Sequence, residues 1–109
     1  MIVLYGSIRI REICENHAAA SDKFSDANAR LLRAALSDVL AANHAGEVIG
    51  LSLANMDGQY MIQNEGVLRV GKGFVLKCTL LSTLSKSTSE FVPLETIRRI
   101  RIDEVDGYK

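Results

Sequence analysis

The feature that most constrains the fold of this 109-residue chain is a change in the spacing of its apolar residues at Gly46. Before Gly46 they recur every three or four positions, which is typical of a helix with one face in a core. After Gly46 they alternate with polar residues, which is typical of half-buried strands. The sequence therefore predicts an α+β domain in which an N-terminal amphipathic helix is followed by a sheet.

The helix is predicted over about residues 26–43. Ser25 offers an N-cap hydroxyl, Asp26 suits the positive end of the helix dipole, and Gly46 follows as a stop. Arg30 and Arg33 lie on its polar side. The predicted core-facing residues are Leu31, Leu32, Ala35, Val39 and Ala42, with Leu36 at the margin.

Residues 1–24 fit two kinds of structure. Four residues between 10 and 17 have helical spacing, and Ser7 could cap a helix that begins near residue 8. Ile8 and Ile10 also alternate with two arginines, as they would in a strand. We favour a helix over 8–20, and the strand alternative stays open. The opening MIVLY is apolar and has no obvious place in a small barrel.

Short strands follow Gly46 at intervals of about 8–12 residues and continue to residue 102. With residues 1–109 as one domain, the economical fold for 47–102 is a strongly bent antiparallel sheet, or a small barrel, of four to five strands, with the helix across one end. The strands are predicted at 47–54, 60–63, 67–70, 74–84 and 90–102, the last interrupted near Pro93, with a turn at 55–58, a polar loop at 85–89 and a flexible tail at 103–109.

A family resemblance accompanies this pattern. LSLANMDGQYMIQNEGVLRV, a long apolar strand, a polar loop and FVPLETIRRIRI together resemble the strands of Sm-like small barrels. The ending, with a helix in front, is also similar to Rof-type Rho-inhibitor proteins. The resemblance implies a small barrel, and either an RNA-binding ring or a protein that binds Rho through acidic surfaces. This chain lacks the Sm-like RNA-pocket signature and is basic in its strand region, so the resemblance transfers no functional residue.

The composition limits the classes of function. The chain has 13 basic and 13 acidic residues, and this zero net charge argues against a general polyanion binder. At 48% hydrophobic residues it is too apolar for a disordered protein. Cys14 and Cys78 have no metal-ligand spacing, which indicates reduced thiols, and no stretch approaches the ~18 apolar residues of a membrane span. We therefore expect a cytoplasmic protein.

No group of residues predicts catalysis. GVLRVGKG, residues 66–73, approaches a P-loop, but Gly73 replaces the magnesium-binding hydroxyl and a strand follows instead of a helix, so we interpret it as a turn. Cys14 and His17 would share a helical face, yet a metal site needs more ligands. The serines of residues 82–89 lack the G-x-S-x-G context of a nucleophile. We expect no enzyme activity, no cofactor and no metal.

A basic cluster is the first candidate contact surface. Between residues 58 and 102 there are seven basic and three acidic residues. In TIRRIRID, Arg99, Arg101 and Asp103 share one face of a strand, while Arg98 breaks the alternation and predicts a bend or bulge. No aromatic residue lies within the arginine run, which favours a solvated face over a nucleic-acid site. The candidate contacts to nucleic acid or a partner are Lys72, Lys77, Arg98, Arg99 and Arg101.

An apolar strand is the second candidate contact surface. GFVLKCTLLSTL places Phe74 and alternate residues on one face, and Val75 and Leu81 on the other. A strand that is apolar on both faces indicates an interface, so Val75 and Leu81 are candidates for a homodimer or higher homo-oligomer. The sequence thus predicts a non-enzymatic binding or regulatory protein that acts through protein–protein contacts. The alternatives are an RNA- or single-strand-binding small barrel and a small-ligand module with a pocket between helix and sheet.

Overall fold

The computed structural model describes residues 1–48, 51–53, 56–57, 60–61, 65–71, 73–82, 92–93 and 96–107. Within these residues, three α-helices follow a first strand, β1, at Ile2–Tyr5. A short 3₁₀ helix, Ala45–Glu47, comes after the third α-helix. The α-helices are α1 at Ile8–Glu15, α2 at His17–Lys23 and α3 at Asp26–Ala41.

Five strands form one mixed sheet, in which four strands that follow the helices join β1. These are β2 at Leu51–Leu53, β5 at Glu65–Gly71, β6 at Phe74–Ser82 and β8 at Ile97–Asp106. Their order across the sheet is β1-β8-β6-β5-β2. Four of the strands form an antiparallel series, whereas β1 pairs with β8 in parallel. A second sheet has the order β3-β4-β7, with strands at Met56–Asp57, Tyr60–Met61 and Val92–Pro93.

The core lies between the helices and one face of the five-stranded sheet. Because side chains alternate across a strand, every second residue of β6 reaches this face, while two bulges in β8 bring Ile97, Ile100, Ile102 and Val105 to it. The rings of Phe24, at the end of α2, and Phe74, at the start of β6, lie 5.0 Å apart. The side chains that are less than 2% exposed are Leu32, Val39, Leu68, Phe74, Leu76, Leu80, Ile97, Ile100 and Ile102.

The α+β class is confirmed, but two finer predictions are wrong. Among the described residues the five-stranded sheet is open, with β1 and β2 at its edges, so it does not close into a barrel. The amphipathic helix is not the first element either, because β1, α1 and α2 precede it. β1 precedes the helices and pairs in parallel with β8, so it forms one edge of the sheet.

The N-terminal segment is helical from Ile8, as favoured, and its strand lies before the alternating residues on which the strand alternative was based. Residues 2–5 form a strand, and the helix predicted at 8–20 is two helices, which Asn16 separates with extended backbone at φ −113° and ψ 109°. The predicted cap is present, since Ser7 Oγ accepts a hydrogen bond from the Ile10 N–H at 3.2 Å. Asn16 then caps α2 by accepting from the Ala19 N–H.

The third helix confirms its predicted start and corrects its predicted face. Ser25 Oγ accepts from the Asn28 N–H at 3.1 Å. Leu31, expected in the core, is 43% exposed, whereas Leu36, expected at the margin, is 7% exposed. The helix is therefore rotated relative to the prediction, and its buried residues are Ala29, Leu32, Leu36 and Val39.

The last strand confirms one predicted irregularity and extends past its predicted end. On β6, Leu81 and Ser82 lie opposite Arg99 and Ile97, so Arg98 is the extra residue of a bulge, as its place in the sequence indicated. A second register shift leaves Asp103 as an extra residue. β8 runs to Asp106 and buries Val105. The prediction of a flexible tail from residue 103 is therefore wrong for residues 103–106.

Candidate interaction surface

The second face of the five-stranded sheet is the candidate site, and we call it the open face. Its side chains alternate with the core residues of β1, β5, β6 and β8 and are exposed or half-buried. α1 and α3 pack against the sheet on the opposite face, where the buried residues lie. The open face carries Ile2, Leu4, Val67, Arg69, Val75, Lys77, Thr79, Leu81, Arg99 and Arg101.

The open face is partly apolar. Ile2 is 54% exposed, Leu4 40% and Val67 38%. Val75 and Leu81, the residues predicted for an oligomer interface, both lie on this face and are half-buried. Val75 and Leu81 therefore share this face with Ile2 and Leu4 of the apolar opening segment MIVLY.

Apolar and cationic residues alternate across the strands. Arg99 lies opposite Ile2 on one side and Leu81 on the other. Arg101 lies opposite Leu4 and Thr79 in the same way. Each arginine stem thus runs beside an apolar or hydroxyl-bearing neighbour while its guanidinium reaches water.

Two of the predicted basic residues are already paired with acids. Arg101 Nε donates to Asp103 Oδ1 at 2.6 Å, and the Thr79 hydroxyl donates to Asp103 Oδ2, also at 2.6 Å. Lys77 Nζ lies 3.6 Å from Glu104 Oε2. These contacts neutralise part of the positive charge that the sequence places here.

The remaining basic residues differ in their surroundings. Arg99 and Arg69 lie on the open face, and within the described ranges neither has a carboxylate within 4 Å. Arg98 is exposed at the bulge of β8. Lys72 lies outside the described residues.

Among the side chains that the structure describes, none on the open face is aromatic. Phe74 is 1% exposed and faces the core. Phe24 is buried as well, and Tyr5 is half-buried on the helix side. Tyr60 and Phe91 have side chains outside the described set.

The structure does not bring the residues considered for a metal or nucleophile site together, within the described ranges. Cys14 belongs to α1 and His17 to α2, and His17 Nε2 lies 3.0 Å from Asp26 Oδ1. Burial raises the pKa of the Cys14 and Cys78 thiols to about 12, so neither is a ready nucleophile at neutral pH. Within the described ranges, no three His, Cys, Asp or Glu residues lie close enough together to hold a metal ion.

The P-loop-like segment is a turn, as its sequence context indicated. β5 ends at Gly71 and β6 begins at Phe74, and the two strands pair in an antiparallel hairpin. Gly73 has φ 70°, a left-handed conformation that glycine adopts without steric cost. No helix begins here to surround a phosphate group.

Comparison with protein families, curated proteins and solved structures finds no match for this chain. The resemblance to Sm-like and Rof-type proteins thus gains no support from relatives. Of the helices that the structure describes, none is long and apolar enough to cross a membrane.

Proposed function

We propose that this chain is a non-enzymatic binding or regulatory protein that acts through protein–protein contacts, as a homo-oligomer whose open face contacts a partner protein. The observation that carries the proposal is the exposure of Ile2, Leu4 and Val67 on one face of the five-stranded sheet. Large apolar side chains left exposed on one face are typical of an interface, because a core would otherwise bury them.

Nucleic acid is the less favoured partner of this surface. Single-stranded nucleic acids are held by cationic grooves together with aromatic stacking platforms. On the open face, Arg101 and Lys77 are paired with acids, and no aromatic side chain within the described ranges accompanies Arg99 and Arg69. Arginine is instead one of the residues enriched in protein interfaces.

The proposal is tested by light scattering on a sizing column, with and without a mixed-sequence RNA oligomer, at low and at moderate salt. We expect an assembly larger than a 109-residue monomer that RNA leaves unchanged. A monomer that forms an RNA complex at low salt and loses it steeply as salt rises would overturn the proposal, because steep salt dependence reports phosphate contacts.

The contact surface itself is tested with a double variant, Val67→Asp with Leu81→Asp. Both residues lie on the open face, away from the helices, and their replacement adds two carboxylates where a partner would require apolar contact. Asp38→Asn on α3 serves as a control, since Asp38 is exposed on the opposite side of the molecule. A candidate partner protein that binds both variants equally would exclude the open face.

A further inference from the structure

One edge of β1 is free for pairing, as far as the structure describes the chain. β1 pairs with β8 along one side, and within the described ranges nothing pairs with its other side. Natural edge strands are commonly protected by proline, a bulge or a charged side chain. Ile2–Tyr5 contains none of these.

The backbone groups at this edge can be assigned from one hydrogen bond. The Gly6 N–H donates to the Ile102 carbonyl at 2.8 Å, so the Gly6 peptide groups face β8. Because successive residues of a strand direct their peptide groups to opposite sides, those of Leu4 also face β8, and those of Val3 and Tyr5 face outward. The edge therefore offers two residues, each with one donor and one acceptor.

A groove runs beside this edge, between β1 and α1. Its volume is about 520 Å³. Leu4 and Ile8 border it, and Ile8 is 85% exposed even though it is a large apolar residue. Arg11 and Glu15 line the same groove from the next two turns of α1. The groove thus combines the unpaired edge of a strand, exposed apolar side chains and one charge of each sign.

The charges make this surface complementary to itself. Arg11 and Glu15 are one helical turn apart and form an ion pair, with Nε and Oε1 2.6 Å apart. A two-fold axis perpendicular to β1 reverses the direction of α1 in the second copy. The antiparallel copy of α1 presents the two charges in the opposite order, so Arg11 of one copy can face the partner's Glu15. A different protein would need its own acidic and basic side chains, placed to match Arg11 and Glu15.

From these observations we infer that two copies of the chain pair antiparallel along β1, about a two-fold axis at Leu4. Val3 exchanges backbone hydrogen bonds with the partner's Tyr5, and Tyr5 with the partner's Val3. Leu4 packs against the partner's Leu4 at the close, non-hydrogen-bonded position of the ladder. The two five-stranded sheets become one continuous sheet, and the two open faces lie side by side for another partner.

This inference rests on the homo-oligomer of the proposed function and specifies where the second copy binds. It is tested with Leu4→Asp and Val67→Asp, measured by analytical ultracentrifugation of the full chain. The two residues have nearly equal exposure, 40% and 38%, and both lie on the open face, but only Leu4 belongs to β1. Circular dichroism and urea unfolding show whether each variant is folded.

We expect Leu4→Asp to raise the dimer dissociation constant by about 100-fold or more, because it places two carboxylates together at the axis. Val67→Asp should leave that constant within about 3-fold of the wild-type value, as expected for a residue outside the interface. A dimer that resists Leu4→Asp but dissociates with Val67→Asp would overturn the edge pairing and retain the homo-oligomer. A wild-type monomer at all concentrations would overturn both, and leave the edge of β1 open to an extended peptide of another protein.

A charge exchange gives a second test that does not alter the strand. Arg11→Glu should weaken the dimer by about 10-fold, because it opposes like charges across the axis. Adding Glu15→Arg to it restores both the pair within the helix and the pair across the axis, so the double variant should return to within about 3-fold of the wild-type constant. An equal dimer strength in all three proteins would contradict the two-fold arrangement.

Discussion

Arg101 and Asp103 form an ion pair on the open face, with Arg101 Nε 2.6 Å from Asp103 Oδ1. Asp103 occupies a bulge of β8 and also accepts a hydrogen bond from the Thr79 hydroxyl, so it links two neighbouring strands. One of the arginines that the sequence assigns to a nucleic-acid or partner contact is therefore held by its own strand. Asp103, the acid that holds Arg101, belongs to the segment that was predicted to be a flexible tail.

Asp103→Ala should destabilise the fold. Asp103 and Arg101 are both about one-third to one-half exposed, at 34% and 44%, so solvent screens part of their attraction. With the Thr79 hydrogen bond included, we expect a loss of about 1 kcal/mol in the free energy of unfolding. Urea unfolding measures it.

Asp106→Ala is the matched control for that variant. Asp106 is exposed on the same strand, and it has no ion-pair partner among the described residues. Its replacement should change the free energy of unfolding by less than about 0.5 kcal/mol. Equal effects of the two replacements would show that the link between Asp103 and Thr79 contributes nothing to stability.

Ser25→Gly should stabilise the protein. Ser25 has φ 135° and ψ 162°, a backbone conformation that residues with a Cβ rarely adopt and that costs about 1–3 kcal/mol. Glycine removes this strain, loses a few tenths of a kcal/mol from the missing cap hydroxyl, and costs about 0.5–1 kcal/mol through the unfolded chain. The expected net gain is about 1 kcal/mol, measured by urea unfolding.

Ser25→Ala separates the two contributions at that position. Alanine keeps the strain and removes the hydroxyl that accepts from the Asn28 N–H, so it should cost about 1 kcal/mol. If glycine and alanine destabilised the protein equally, the hydroxyl and not the backbone conformation would dominate at residue 25.

The local parts of the fold could be predicted from the sequence, and the non-local parts could not. The cap at Ser25, the cap at Ser7 and the bulge at Arg98 depend on neighbouring residues, and all three are present. The pairing of β1 with β8 joins opposite ends of the chain, and a four-residue strand is too short for its alternation to distinguish it from other apolar runs. Missing this pair led to the barrel prediction.

The same distinction applies to the candidate surface. Alternation alone predicted Val75 and Leu81 on one face and Arg99 with Arg101 on an exposed face, and the structure confirms these placements. Ile2 and Leu4 join them only through the register of β1 against β8. The face of α3 was predicted incorrectly because packing against the sheet, and not helical spacing alone, decides whether Leu31 or Leu36 is buried.

Stability should fall as the pH rises from 9 towards 12. Burial raises the pKa of both cysteine thiols from the ordinary value of 9.0 to about 12. In this range the unfolded chain loses thiol protons that the folded protein keeps, so ionisation favours unfolding. The stabilising contribution is complete below pH 9, and each thiol removes at most about 1.4 kcal/mol per pH unit above it.

The measurement for the thiols is urea unfolding at pH 7, 9 and 10.5. It compares the wild type with a double variant that carries both Cys14→Ala and Cys78→Ala. The double variant will be less stable at pH 7, because it loses packed atoms, so the comparison uses the slope with pH. Its slope should be shallower than that of the wild type. Identical slopes would mean that both thiols titrate in the folded protein as they do in the unfolded chain.

Asp26 should give the protein a distinct loss of stability in acid. The hydrogen bond with His17, and after it the charge of Arg30, hold the pKa of this carboxyl below its ordinary value of 3.8. The stabilising contribution is therefore present above pH 3.8 and is lost as the pH falls through the lower pKa of the folded state. Asp26→Asn should be less stable than the wild type at pH 6, and the difference should shrink below pH 3, as followed by thermal unfolding.

Asp22→Asn is the control, at an exposed position on α2 that forms no ion pair within the described ranges, and it should match the wild type at both pH values. A difference at Asp26 that persisted unchanged at pH 2.5 would show that the carboxylate charge is not its cause.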